Sequence, residues 1–264
     1  MAEGWEYRGR WALVTGASAG IGEAFARELA RRGTNLLLAA RREDRLRALG
    51  DELAQAHRVR TVALRADLGQ PGAAAELWAR AAAAHPIHLL VNNAGFGLKG
   101  PFAEQPIERL GEMVQVNCIA PMELAHLALG HMRGHGGGAI VNVASIAGYQ
   151  PIPLMATYAA SKAFLITLSE ALMEEARGAG VRVVTLNPGP VKTEFQSVAG
   201  TEVRDRAPGV RTAGQVVDAA LRGLDSGGGT VTPGLVNRVA TTAVRIAPRS
   251  WVLRGAKAIM RKLR

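Results

Sequence analysis

Short apolar runs alternate along the chain with longer segments whose apolar positions recur at helical spacing. The apolar runs predict seven strands, of which the last is weak. They are WALVTG, NLLLAA, RTVALRAD, IHLLVNNAG, GAIVNVAS, VRVVTLNPG and GTVTPG, at residues 11–16, 35–40, 60–67, 87–95, 138–145, 181–189 and 229–234. Near-continuous runs such as NLLLAA are typical of strands that are buried on both faces.

The segments between these strands predict helices, at residues 22–33, 43–57, 71–85 and 155–180. Strands that alternate with helices indicate βαβ units. We therefore expect an α/β fold of the Rossmann type, with a doubly wound parallel sheet of about seven strands covered by helices on both faces. We assign this single domain to residues 1–235, including a polar substrate lid at about 194–211. A basic C-terminal extension follows at 236–264.

Composition fits one domain in a reducing compartment. The chain has 264 residues, 48% of them hydrophobic, which is enough for a sizeable core. Its single cysteine, Cys118, excludes an intramolecular disulfide and is expected to be a small buried apolar side chain. The N-terminus lacks the apolar run of a signal peptide, and no stretch approaches the roughly 18 apolar residues of a membrane span. We expect a cytoplasmic protein.

The net charge of +10 is concentrated at the C-terminus. The last 39 residues contain eight basic residues and no acid, so the rest of the chain carries only +2. A nucleic-acid partner is not expected, because the body is nearly neutral and no stacking aromatics accompany the tail charges. Two interpretations of the tail stay open: a peripheral helix on an anionic membrane, or an apolar side packed on the body or a neighbouring subunit. We favour packing, in two segments separated by Pro248.

A glycine-rich turn, TGASAGIG, follows the first strand directly at residues 15–22. Glycines there let the backbone approach a pyrophosphate, which then meets the N-terminus of a helix. The second strand ends in Ala40, where an NAD site would offer an acid, and Arg41 and Arg42 come next. Guanidinium groups suit a 2′-phosphate, so the sequence favours NADP(H) over NAD(H).

A tyrosine and a lysine stand one helical turn apart in YAASK, as Tyr158 and Lys162, 13 residues after Ser145 ends the fifth strand. Ligands bind at the carboxyl ends of strands in such a sheet. A lysine ammonium one turn away is expected to lower the tyrosine pKa from its usual value of about 10. Tyr158 could then exchange a proton with a carbonyl or alcohol oxygen, which Ser145 would orient.

Seven motifs occur in order between about residues 10 and 195: TGASAGIG, AD, NNAG, VN, Ser145, YAASK and NPGPVKT. This combination resembles the short-chain dehydrogenase/reductase family. The resemblance implies an NADP(H)-dependent oxidoreductase that interconverts a secondary alcohol and a ketone. It also implies that Lys162 binds the nicotinamide ribose and that Asn117 completes a proton relay through Lys162.

The other cofactor contacts follow from this resemblance together with the glycine-rich turn and the two arginines described above. The expected cofactor-binding residues are Gly16, Ser18, Gly20, Ile21, Gly22, Arg41, Arg42, Asp67, Leu68, Asn93, Ala94, Gly95, Tyr158, Lys162, Pro188, Gly189, Val191 and Thr193. The expected substrate residues, whose side chains indicate an apolar substrate, are Phe96, Ile152, Met155 and Phe195. The resemblance also implies assembly as a homodimer or homotetramer. A metal site is not expected, because the histidines lack carboxylate or cysteine neighbours.

Two other functions were weighed on the same fold. A redox-inert dinucleotide sensor would be expected to have lost Ser145, Tyr158 or Lys162, and all three are present. A scaffold or membrane-surface protein would function through the basic tail. The complete catalytic set favours the enzyme.

Overall fold

The computed structural model describes residues 4–200 and 209–262, and within them seven parallel strands form one sheet. The strands are β1 (Trp11–Thr15), β2 (Asn35–Ala40), β3 (Thr61–Arg65), β4 (Leu89–Asn92), β5 (Gly138–Val143), β6 (Val181–Leu186) and β7 (Gly229–Val231). Their spatial order is β3-β2-β1-β4-β5-β6-β7. The predicted α/β fold class is confirmed.

Helices connect the strands and continue beyond β7. They are α1 (Gly20–Arg31), α2 (Glu43–His57), α3 (Ala73–Ala84), α4 (Ile107–Val114), α5 (Ala120–Gly134), α6 (Ala156–Arg177), α7 (Phe195–Ala199), α8 (Ala213–Asp225), α9 (Leu235–Ile246) and α10 (Arg249–Lys262). A π-helical segment, Gln115–Ile119, joins α4 to α5, and a 3₁₀ turn, Ile146–Tyr149, follows β5. No helix in the described part of the chain is long and apolar enough to cross a membrane.

Alternate residues of each strand enter two separate cores. In β1, Ala12 and Val14 pack on the side of α1, α2 and α8, whereas Trp11 and Leu13 pack on the side of α3 and α5. Both faces of the sheet are therefore buried, which explains why the strands are apolar without alternation.

Several strands end earlier than the sequence predicts. β3 stops at Arg65, β4 at Asn92 and β5 at Val143. The residues that follow leave the ladder at the carboxyl edge of the sheet, where the crossing between β1 and β4 reverses the strand order. A ligand-binding crevice is expected at that point.

The C-terminal tail forms two helices separated by Pro248, as predicted. α9 is fixed to the body by Asn237, whose Nδ2 donates to the carbonyl oxygens of Pro233 (2.8 Å) and Gly209 (3.0 Å). Packing of the apolar side on the body, one half of the preferred interpretation, does not occur for α9, and packing on a neighbouring subunit stays a prediction. A polar face holds the helix, and the larger apolar side chains point outward.

Candidate active site

A cleft of about 610 Å³ opens at the carboxyl edge of the sheet. All but two of the predicted catalytic, cofactor and substrate residues line it. The exceptions are Gly22, which packs behind the glycine-rich turn against the Gly16 carbonyl, and Asn117, which is buried behind Phe96. The sequence therefore identified most of the cleft wall.

The glycine-rich turn is clamped to the segment after β4. Gly16 has φ +65°, and a Cβ there would lie 2.8 Å from Asn93 Nδ2, so only glycine fits. Asn93 Nδ2 donates to the Thr15 carbonyl oxygen (2.8 Å), while Thr15 Oγ1 accepts from the Asn93 N–H (2.9 Å). The N-cap of α1, Ala19, offers no side-chain cap. The turn thus fits a dinucleotide pyrophosphate, whose charge would meet the first N–H groups of α1.

Two arginines border the cleft beyond the end of β2. Arg42 Nη2 donates to Ser18 Oγ in the glycine-rich turn (3.1 Å), and its Nη1 donates to Glu194 Oε2 (2.8 Å). Arg41 lies on the other side, with Nη1 3.5 Å from Glu112 Oε1. No carboxylate occupies position 40, so the chemistry of this rim fits a 2′-phosphate.

Ser145 and Tyr158 meet because the turn after β5 lies directly on α6. Ser145 begins the 3₁₀ turn, and its Oγ accepts from the Ala147 N–H (3.1 Å). Within that turn, a Cβ on Gly148 would lie 2.7 Å from the carbonyl carbon of Lys162. Only a glycine permits this approach, which places the turn that Ser145 begins directly on the helix that carries Tyr158. Nothing local in the sequence marks the part of Gly148, because a close approach between separate elements depends on the tertiary fold.

Tyr158 and Lys162 are almost fully buried, with 8% and 5% of their surface exposed. Burial raises the pKa of Tyr158 to about 12, although the hydrogen bond to Ser145 acts in the opposite direction. Burial also lowers the pKa of Lys162 to about 8. The predicted lowering of the Tyr158 pKa by Lys162 is therefore wrong for this geometry, in which burial is the dominant effect. The phenol keeps its proton at neutral pH and can act as a proton donor.

The Lys162 ammonium group is held by the backbone at the end of β5. Its Nζ donates to the Val143 carbonyl oxygen (3.0 Å) and lies 5.9 Å from the centroid of the Tyr158 ring. The lysine thus lies at the end of β5, beside the tyrosine and facing the cleft.

Asn117 lies in the π-helical segment, a feature often found at functional sites. Its Nδ2 donates to the Phe96 carbonyl oxygen (2.9 Å) and to Ser161 Oγ (3.0 Å), and its Oδ1 accepts from the Phe96 N–H (3.1 Å). The amide therefore fixes the Phe96 backbone to α6. Its part in a proton relay stays a prediction.

The four predicted substrate residues belong to one apolar cluster around Tyr158. The Phe195 ring centroid lies 5.5 Å from that of Tyr158. The neighbouring Leu154 has φ +69°, which is a costly conformation for leucine and typical of functional regions. These contacts give the reacting end of the cleft an apolar wall.

The segment after β6 closes on itself beside the glycine-rich turn. Gln196 Oε1 accepts from the Thr193 N–H (2.8 Å), and its Nε2 donates to the Val191 carbonyl oxygen (2.6 Å). Val191 also forms a bridge with Arg211, which closes the base of the predicted lid. The middle of that lid, residues 201–208, lies outside the described residues.

Several residues that line the cleft have no site role predicted from the sequence. They include Glu112, Gln150 and Val116 of the VN motif, together with Glu194 and Gln196, which were assigned only to the lid. Their places in the cleft wall depend on contacts between distant segments. Cys118 is buried, as expected, and burial raises the pKa of its thiol. In the residues that the structure describes, no group of three potential ligands could hold a metal ion.

A family model described as short chain dehydrogenase matches residues 10–203, well over half of the chain. The chain belongs to the short-chain dehydrogenase family. A curated relative, the very-long-chain 3-oxoacyl-CoA reductase of Pyrenophora tritici-repentis, is 32% identical over 228 residues, which are 84% of this chain and 65% of the relative. This dehydrogenase spans between 55% and 65% of the length of the curated relatives it matches.

Solved structures cover the dehydrogenase more completely. A short-chain dehydrogenase from Sphingobium yanoikuyae in complex with NADPH is 33% identical, with a TM-score of 0.82 over 97% of this chain and 96% of the other. The bulky-bulky ketone specific alcohol dehydrogenase from Comamonas testosteroni is 31% identical, with a TM-score of 0.77 over 91% of this chain and 95% of the other.

Proposed function

We propose that this short-chain dehydrogenase is an NADP(H)-dependent reductase that interconverts a bulky apolar ketone and the corresponding secondary alcohol. The observation that carries the proposal is the Ser145–Tyr158 hydroxyl pair, which borders an apolar wall in the same cleft as the glycine-rich turn. The likeness to an NADPH complex and to a bulky-ketone dehydrogenase supports both cofactor and substrate class.

One group of residues would bind the cofactor, and a second group would orient the substrate and transfer the proton. The glycine-rich turn would hold the pyrophosphate, and Arg41 and Arg42 would hold the 2′-phosphate. NADPH supplies a hydride when bound. Ser145 would donate a hydrogen bond to the substrate carbonyl oxygen, and Tyr158 would give that oxygen its proton. In the oxidative direction, the Tyr158 phenolate would take the proton back.

Tyr158 is protonated at neutral pH, as the reductive step requires, and burial raises its pKa further. The phenol is the form that a reductase needs, and burial keeps Tyr158 in that form. Oxidation needs the phenolate, which becomes abundant only at high pH. The protonation state of Tyr158 at neutral pH is therefore compatible with the proposed reductive step.

A cofactor-oxidation screen tests the proposal. Purified protein is mixed with NADPH or NADH and with bulky apolar ketones, small ketones, aldehydes and 3-oxoacyl thioesters. We expect NADPH consumption with bulky ketones or 3-oxoacyl thioesters, and slower reaction with NADH. Tight NADPH binding without turnover of any compound would instead favour the redox-inert sensor, and better reaction with NADH would contradict the cofactor assignment. Assembly as a homodimer or homotetramer and a cytoplasmic location stay predictions.

A further inference from the structure

The exposed face of α9 is apolar, although this helix is held to the body. Leu235, Val239 and Ile246 are 66%, 60% and 82% exposed. Their spacing of four and seven residues places them along one side of the helix. Asn237 and Thr241 lie on the opposite side, where Asn237 hydrogen-bonds to the body. We call these three exposed side chains the α9 stripe.

Positive charge flanks the α9 stripe. Arg238 lies beside the stripe on the helix surface, three residues after Leu235. A polar cleft next to α9 is lined by Leu235 of the stripe and by three arginines, Arg211, Arg222 and Arg238. Asp218 is the acid in that lining. The chain has no Asp or Glu after residue 226 and eight basic residues there. Besides Asp218, Glu170 lies near α9, 3.6 Å from Arg245, so positive charge is in excess beside the stripe but not alone there.

We propose that the surface formed by α9 and α10 docks on an anionic phospholipid bilayer. The α9 stripe enters the boundary between headgroups and acyl chains, and the flanking arginines contact lipid phosphates. Trp251 in α10, which is 68% exposed, adds an amphipathic ring of the kind enriched at membrane interfaces.

Charge argues for a bilayer over a second copy of the chain. An isologous dimer through this surface would bring two sets of α9 and α10 arginines and lysines together, with Asp218 and Glu170 as the acids beside α9, and the excess of like charge disfavours association. An anionic bilayer supplies the complementary charge and an apolar phase for the stripe.

Docking would bring the active site close to lipid. Arg245 of α9 stacks on the Tyr149 ring at 4.9 Å, and Tyr149 belongs to the turn that Ser145 begins. The helix that carries the α9 stripe thus packs on the element that forms the reacting end of the cleft. An apolar substrate dissolved in the bilayer would have a short path to Tyr158.

Vesicle sedimentation of the full chain tests this inference. Vesicles of phosphatidylcholine alone are compared with vesicles of phosphatidylcholine mixed with phosphatidylglycerol, at low and high salt. We expect binding to the anionic vesicles that weakens with salt, and little binding to the neutral ones. The double variant Arg238→Gln/Arg254→Gln should bind anionic vesicles about 30-fold more weakly, because each basic residue near the surface contributes about 1 kcal/mol.

Two further variants separate the possible causes. Leu235→Gln/Val239→Gln should weaken binding about tenfold or more, because it removes apolar area without changing charge. The matched control Arg47→Gln/Arg133→Gln removes two exposed arginines elsewhere and should bind like the unmodified chain. The inference is overturned if the unmodified chain ignores anionic vesicles, if the control loses as much binding as the tail variant, or if the apolar variant binds normally. Self-association through Leu235 and Val239 in place of vesicle binding would assign the surface to a second copy. Because the readout is sedimentation, it does not depend on the proposed reaction.

Discussion

Replacing Glu194 by glutamine should tighten the binding of NADPH and leave the binding of NADH nearly unchanged. Glu194 Oε2 accepts from Arg42 (2.8 Å), and Oε1 accepts from Arg45 (2.7 Å). Hydrogen bonds from Arg45 and Arg42 hold the pKa of Glu194 below its usual value, so it is ionised at neutral pH. A 2′-phosphate that binds Arg42 must therefore compete with this carboxylate and approach its negative charge.

The expected effect is modest because the groups are half-exposed. The side chains of Arg42 and Glu194 are 40% and 50% exposed, so water and salt screen their attraction. Exposed ion pairs of this kind change an equilibrium constant by a factor of about five at most. We therefore expect the Kd of NADPH to fall about two- to fivefold at low salt, and less at high salt.

Fluorescence titration with both cofactors measures the effect. Glu43→Gln is the matched control, because the Glu43 side chain, at the start of α2, also pairs with an arginine, but with Arg47 and not with Arg42. The control should leave both affinities unchanged. Weaker NADPH binding to Glu194→Gln, or equal changes for NADPH and NADH, would refute the competition between Glu194 and the phosphate.

Three further predictions concern the cofactor rim, the pH dependence and the substrate wall. Arg42→Ala should weaken NADPH binding about tenfold or more and leave NADH binding unchanged. Arg41→Ala should have a smaller effect, because the contact with Ser18 already positions Arg42. Equal losses of NADPH affinity in the two variants, measured by titration, would contradict this order. The kcat of reduction should be level near neutral pH and decline as pH rises through about 8, where Lys162 loses its charge. The rate of oxidation should rise with pH as Tyr158 ionises. A rate of reduction that rises with pH would be inconsistent with a phenol as the proton donor. Gly97→Ala should lower kcat/KM for bulky ketones more than for small ones, because the added Cβ would lie 3.0 Å from Phe195 Cζ and 3.2 Å from Tyr158 Cδ2. An unchanged ratio of kcat/KM between bulky and small ketones would contradict a rigid apolar wall at this position.

The sequence predicted the parts of the site that depend on local spacing. Tyr158 and Lys162 share a helical face, and the glycine-rich turn follows a buried strand, so both patterns are visible in a single stretch of chain. The parallel sheet of about seven strands also followed from the alternation of apolar runs with helices. These features need no knowledge of distant contacts.

The parts that were missed depend on tertiary contacts. Gly148 matters because a separate helix approaches its backbone, and Gln196 matters because it closes its own loop beside the cleft. The pKa of Tyr158 depends on burial, which no spacing reveals, so the expected dominance of Lys162 was wrong. In the tail, spacing indicated an amphipathic helix but not which side would face the body. The buried amide of Asn237 decided that orientation.

The proton-donor role of Tyr158 is tested most directly by single-turnover reduction with Tyr158→Phe. The variant removes one buried hydroxyl and keeps the ring in the apolar cluster, so fold and NADPH affinity should be preserved. Tyr7→Phe is the matched control, because it removes a hydroxyl that donates to Asp225 (2.7 Å), a residue at the end of α8 and outside the cleft lining. With a ketone that the unmodified enzyme reduces, we predict that Tyr158→Phe slows NADPH oxidation by about 10² or more while Tyr7→Phe reacts normally. A near-normal rate for Tyr158→Phe, with NADPH binding intact, would contradict the account.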